Sequence, residues 1–393
     1  MSRMADRLVA TGLVAAAAVT FAAFAQTLTS TAFPLSSDPM RIGVADTPQF
    51  DRSFVARARA AVLRAPLDQR TFNAWYVYEA AGDPDMTPAQ REAGTDQLAR
   101  LGWRYTPAQL NLLYAYGITN NVTGAFTRAD GLLRRNVAVV PMLQMLWTIE
   151  RSGEARAQLA TVLARDPIWR APFLRSGVGL NNAAAIGARA TTIDDLLSQG
   201  HTVSRAEIAP LVQRMVALGQ IVPAYAIWRQ ALSRRTGNGI FDPHFTIAAG
   251  YQANGLAGDA IPFEWTANSG NGLSVDFEGH SGAGTGEVRI RWDGMGVPVL
   301  LRQTFRITPG RYLLKVTGSD ANPGMLSKLR FSVRCPGTTT QFVQPTGTTA
   351  DAIVLAGDRD IACRFATLVV TPNIDDVAGR FDLTLSGIEL IRG

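Results

Sequence analysis

Two cysteines and four arginines are the side chains in this sequence whose type and spacing suggest a chemical role. Cys335 follows Phe331 and Val333 in alternation, and Cys363 lies between Ile361 and Phe365, so both are expected on an apolar strand face. Such a pair in an exported chain predicts a structural disulfide, and closing its 28-residue separation stabilises by about 3 kcal/mol. Arg289 and Arg291 alternate with Val288, Ile290 and Trp292, and Arg302 and Arg306 flank Phe305. All four are expected to point outward, where guanidinium forks match the carboxylates of an acidic glycan or simply face solvent.

Other combinations fall short of a reactive set. Asp276 and Glu278 share a strand face with His280 following, but no facing carboxylate completes a glycosidase pair. Gly279-His280-Ser281-Gly282 is followed by Ala283 rather than Gly, which breaks the nucleophile-elbow pattern. The run from Gly282 to Gly286 precedes no Lys-Ser or Lys-Thr, so it is no phosphate loop. His201 and His244 stand alone, and 3 His with 2 Cys leave too few ligands for a multi-ligand zinc or iron–sulfur centre. No catalytic residue, metal site or cofactor is predicted. Trp265 and Trp292 have the parity of core residues, as do Trp75, Trp147, Trp169 and Trp228 at helical spacing; the helical set could alternatively line a groove for a protein segment.

The elements that carry these residues change character midway. Over 51–236 apolar residues recur at three and four, as in 54–63, 72–78, 110–116 and 142–149, with breaks by Gly, Pro, Asn or Asp. Helix pairs are expected to begin near Thr71, Pro107 and Pro141, a period that resembles tetratricopeptide helix–turn–helix units. The stretch 177–199 breaks that period. From 237 to 393 alternation replaces it, with about eight short strands expected and a hairpin or tight corner at Thr308-Pro309-Gly310. The fold class expected is α+β multidomain, an N-terminal α-helical repeat array followed by a C-terminal β-sandwich.

Length, leader and charge bound the rest. The chain has 393 residues, 47% hydrophobic and 18% charged, which excludes wholesale disorder. Arg3 and Arg7 precede an uncharged stretch over 8–25 that ends in Ala23-Phe24-Ala25, the pattern of a signal peptide or, uncut, an N-terminal membrane anchor. Residues 26–50 read as an extended linker. Either way the body is expected in the periplasm or cell envelope. The basic set is 36 Arg and 2 Lys without a dense run, which argues against nucleic-acid binding. Residues 26–239 hold 23 basic and 16 acidic side chains, and 240–393 hold 13 and 15. The positive half favours an acidic partner or an anionic membrane surface.

A resemblance adds a process to this outline. Gly237-Asn238-Gly239-Ile240-Phe241-Asp242, then Pro262-Phe263-Glu264-Trp265, then Leu301-Arg302-Gln303-Thr304-Phe305 and Pro309-Gly310-Arg311-Tyr312 follow the order of a jelly-roll carbohydrate-binding module. Asp242 stands where such modules usually carry Glu. The whole chain resembles bacterial cell-envelope proteins that join a helical repeat array to such a module and serve exopolysaccharide or capsule production. That resemblance implies a non-catalytic scaffold, its repeats docking envelope proteins and its jelly roll contacting glycan. Two alternatives stay open: a polysaccharide lyase or hydrolase acting on an acidic glycan, and a protein-docking array with a purely structural β cap.

Overall fold

The structure, a computed structural model, describes residues 52–82, 86–234, 237–255, 260–279, 285–318, 324, 328–349, 351–373 and 380–393. The leader 1–25, the linker 26–50, His280 and the glycines at 282 and 284 lie outside them. Among the described residues the chain is α+β, with twelve helices followed by antiparallel sheets. No helix among them is long and apolar enough to cross a membrane. The chain divides into two compact units, one ending at His201 and one starting at Thr202.

The first unit holds α1 (Arg52–Arg64), α2 (Gln69–Gly82), α3 (Pro88–Arg100), α4 (Thr106–Ile118), α5 (Val122–Arg134), α6 (Val139–Ile149), α7 (Gly153–Leu163), α8 (Arg170–Arg175) and α9 (Ala183–Ser198). Three of them begin within two residues of the starts read from the sequence, at Gln69, Thr106 and Val139. Local chemistry sets several boundaries. Thr87 and Gln90 form a reciprocal capping box before α3, and the Asn121 and Asn182 side chains cap α5 and α9. The α5 sequence repeats its apolar residues at helical spacing, and Phe126, Ala129, Leu132 and Leu133 are buried accordingly. Gly94 is fixed by packing, because a Cβ there would lie 2.3 Å from the Tyr76 ring. That ring's hydroxyl bonds the Thr95 hydroxyl and donates to the Arg91 carbonyl. The stretch 177–199 that interrupts the sequence period is itself mostly helical, as α9.

The second unit opens with α10 (Arg205–Ala217), α11 (Ile221–Ala231) and α12 (Thr246–Ala253). The last lies in the part of the chain where alternation predicts strands. Its Ala-rich sequence favours a helix, and the Asp242 carboxylate accepts the backbone N–H groups of Ile247 and Ala248.

Among the described residues eleven strands follow: β1 (Thr266–Ala267), β2 (Leu273–Gly279), β3 (Gly286–Trp292), β4 (Leu301–Arg306), β5 (Tyr312–Thr317), β6 (Leu329–Cys335), β7 (Thr338–Thr348), β8 (Ala352–Gly357), β9 (Phe365–Pro372), β10 (Phe381–Leu385) and β11 (Gly387–Arg392). Eight form one antiparallel sheet in the order β1-β4-β9-β6-β7-β8-β5-β11, and β10-β3-β2 form another. The Thr308-Pro309-Gly310 segment is a corner, since β4 and β5 lie five strand spacings apart in the hydrogen-bonded order. Laid flat, that gap is about 24 Å. The connection 307–311 reaches about 20 Å at most, so the sheet must curl. The corner is pinned by paired backbone bonds between Gly310 and Ile361. Ser386 alone carries the chain from β10 in the small sheet to β11 in the large one. One apolar core takes side chains from both sheets, among them Val288, Ile290, Trp292, Phe305, Leu314 and Phe331.

Candidate functional site

The segment leading into β1, Pro262-Phe263-Glu264-Trp265, is covered on both sides. Phe263 packs against Tyr225 and Trp228 of α11, and Trp265 packs against Phe245. Glu264, between them, is 3% exposed. A bare carboxylate there would be very costly, so it is paired and hydrogen-bonded. Arg205 Nε donates to it at 2.7 Å, Trp228 Nε1 at 3.2 Å and the Tyr251 hydroxyl at 3.3 Å, with Arg234 Nη2 at 3.6 Å. Arg234 also hydrogen-bonds the Tyr251 hydroxyl, and the Arg205 guanidinium lies 4.2 Å from the Tyr251 ring centroid. Burial, and secondarily the Glu264 charge, raise the Tyr251 phenol above its ordinary pKa. One carboxylate thereby ties α10, α11, the chain after α11 and α12 to the start of the sheet.

Beside this anchor lies a recess of about 230 Å³. Residues 237–241 run along β4: the Gly239 N–H donates to the Arg306 carbonyl at 2.8 Å. The fully buried Gln303 amide completes the edge. Its Oε1 accepts the Phe241 N–H and its Nε2 donates to the Phe241 carbonyl, each at 2.8 Å. The recess opens between this segment and α11, with Tyr225, Trp228, Phe241 and Phe263 around it, and the exposed Arg306 at its side. Trp228 meets Phe241 edge-on at 5.0 Å. Asp242 is committed elsewhere: its carboxylate caps α12, and its carbonyl accepts Trp265 Nε1 at 2.8 Å. Burial raises the pKa of that carboxyl, and the backbone donors oppose the rise.

The four arginines singled out in the sequence are all exposed, but they belong to two different faces. Arg289 on β3 forms a two-pronged bond to Asp382 of β10, at 2.9 and 2.7 Å. Arg291 reaches Asp276 of β2 at 3.2 Å. The Arg289 bond holds Asp382 below the ordinary carboxylate pKa, and the Ser274 hydroxyl, with Arg291 adding to it, does the same for Asp276. These two guanidinium groups are already answered by carboxylates of their own sheet.

Arg302 and Arg306 lie on the outward row of β4, with Thr304 between them. The register aligns that row with Phe365, Thr367 and Val369 of β9, and these with Ser332 and Arg334 of β6. None of these positions holds Asp or Glu. Arg302 Nε donates to the Thr266 hydroxyl at 3.1 Å. Among the described residues, Arg302, Arg306 and Arg334 are exposed and have no ion-pair partner. Sequence reasoning missed Arg334 as a companion. Its signal was the alternation of Phe331, Val333 and Cys335, which turns Arg334 outward, but only strand order reveals the shared face.

The remaining candidates separate. Cys335 and Cys363 form a disulfide. Asp276 bonds Arg291 and Ser274, while Glu278 stands opposite Glu287 in the register. His244 Nε2 lies 3.2 Å from Glu389. Trp265 and Trp292 are core residues, as are Trp147, Trp169 and Trp228. Among the described residues no three His, Cys, Asp or Glu side chains gather as a metal site would require. Comparison with known proteins finds no matching family and no matching curated protein.

Proposed function

We propose that this chain is an exported, non-catalytic scaffold in exopolysaccharide or capsule assembly or export. In this reading residues 51–236 form a tetratricopeptide-like repeat array that docks envelope proteins. Residues 237–393 form a jelly roll of the carbohydrate-binding kind that contacts an acidic glycan. The observation that carries it is the outward rows of β4, β9 and β6, where Arg302, Arg306 and Arg334 stand exposed around the buried Thr304, Ser332 and Val369, at positions without a carboxylate. Guanidinium groups on a sheet are weakly hydrated forks suited to the carboxylates of a polyuronate. The Cys335–Cys363 disulfide fits an oxidising compartment, as the leader pattern does.

The test is titration of the purified protein with polygalacturonate and with neutral dextran by calorimetry, at about 50 and 200 mM salt. Binding of the acidic polymer alone, weakening with salt, is expected. The triple variant Arg302→Gln, Arg306→Gln, Arg334→Gln should abolish it. Equal binding of dextran, or none of polygalacturonate, removes the acidic-glycan reading.

A further inference from the structure

We infer that the recess beside Arg306 seats the terminal monosaccharide of an acidic glycan, its carboxylate on the Arg306 guanidinium, so that the second unit recognises a chain end. This rests on the acidic-glycan reading above and adds to it a pocket of defined capacity.

Size comes first. At about 230 Å³ the recess falls below the roughly 300–1,000 Å³ of sites for drug-sized ligands, which suits one pyranose better than a disaccharide. The polar and apolar groups are arranged for such a ring. Phe241 and Ile240, both half-buried, give an apolar wall for the C–H face of a sugar. Asn238 Nδ2 donates to the Thr308 hydroxyl at 2.9 Å, leaving its side-chain carbonyl as an acceptor for a sugar hydroxyl. Gly237 and Gly239 put main chain rather than side chains at the rim, and Gly239, at φ +116°, has a conformation that favours glycine.

Charge decides which sugar. Arg306 belongs both to the recess and to the acid-free outward row of β4, so it is the point where a pocket for one ring meets a surface for the following residues. The nearest acid in the lining, Asp242, spends its carboxylate on the α12 backbone N–H groups and does not compete for Arg306. The walls are also held in place before any ligand arrives. Gln303 grips both backbone groups of Phe241, and Glu264 fixes the Trp228 indole that backs Phe241. A preformed wall lowers the ordering cost of binding a small ligand.

The experiment uses the full chain with two probes, trigalacturonate and long polygalacturonate, and two variants. Gly237→Trp sets an indole at the rim of the recess, from an exposed position where a Cβ meets nothing within 4 Å. Arg334→Gln alters the stripe two strands away. Gly237→Trp is expected to weaken trigalacturonate about tenfold or more, and the long polymer far less, because its internal uronates still meet the stripe. Arg334→Gln should show the opposite preference. Far- and near-ultraviolet circular dichroism confirms that both variants are folded. If Gly237→Trp binds trigalacturonate as the unaltered protein does, the end pocket is wrong while the acidic face stands. If the unaltered protein binds neither probe, both readings fall.

Discussion

Arg205 Nε and Glu264 Oε2 meet at 2.7 Å, with their side chains only 9% and 4% exposed. The two residues are 59 positions apart, one in the first turn of α10 and one at the entrance to β1. The pair therefore joins helix to sheet through a contact from which water is nearly excluded. Such pairs add little net stability over an apolar replacement, yet removing one partner strands the other. Glu264→Gln should destabilise the second unit by about 3 kcal/mol, because it removes the buried negative charge that Arg205 and Arg234 both meet. The expected signature is a lower urea midpoint at unchanged slope. A midpoint within error of the unaltered protein would show that the network is dispensable.

The pairs on the small sheet set a pH dependence of a definite sign. Asp382 and Asp276 titrate below the ordinary carboxylate value, so each binds fewer protons folded than unfolded. Their contribution is present above about pH 4 and fades as pH falls through the lowered values. Arg289 and Arg291 are released only in that acidic window. At neutral pH the double variant Arg289→Gln, Arg291→Gln should leave polygalacturonate affinity within about twofold, unlike the outward arginines of β4 and β6. Carboxyl-carbon NMR titration checks the premise: both midpoints should fall below about 3.9. An Asp382 midpoint at or above that value would falsify the pairing.

The disulfide joins the end of β6 to the segment before β9, and Ile361 in that segment pairs with Gly310 at the corner. Reduction should lower stability by about 3 kcal/mol, the loop-closure cost of a 28-residue separation. Thermal unfolding with and without reductant measures it, with the Cys335→Ala, Cys363→Ala double variant as control. A control variant that also loses melting temperature on adding reductant would assign the effect to something other than this bond.

How far the sequence carried depended on whether a feature is local. The alternation in β3 placed Val288, Ile290 and Trp292 inside and Arg289 and Arg291 outside, as observed, since strand parity depends only on neighbouring residues. Parity says nothing about what an outward residue meets. Asp382 lies 93 positions from Arg289, so their pairing appears only with strand order. Thr304 breaks the alternation of β4, since it is buried between the exposed Arg302 and Arg306 on the outward row. Helix α12 was hidden in a Gly-rich, strand-like region, its stabilising cap supplied by a carboxylate four residues before its first residue. Glu264 lies between two buried aromatics, where alternation alone would turn it outward. Its burial follows from α10, α11 and α12 closing over the bend that leads into β1.

The first unit contains a second closed ion pair, and it allows a stricter test of what such pairs do in this chain. Arg189 of α9 donates from Nε to Glu150 at 2.8 Å, and its Nη1 donates to the carbonyls of Phe173 and Leu174 at 3.1 Å each. The side chains are 0% and 3% exposed. The guanidinium carbon sits 4.3 Å from the centre of the Phe173 ring. Arg189→Met should cost about 3–5 kcal/mol, because Glu150 is left charged and buried and two carbonyls lose their donor. Adding Glu150→Leu removes the stranded charge and should recover part of that loss, so the two changes are strongly non-additive. Urea unfolding of the four proteins of the cycle gives the coupling directly. A double variant whose loss equals the sum of the single losses would mean that Arg189 acts through its contacts with Phe173 and Leu174 and not through Glu150.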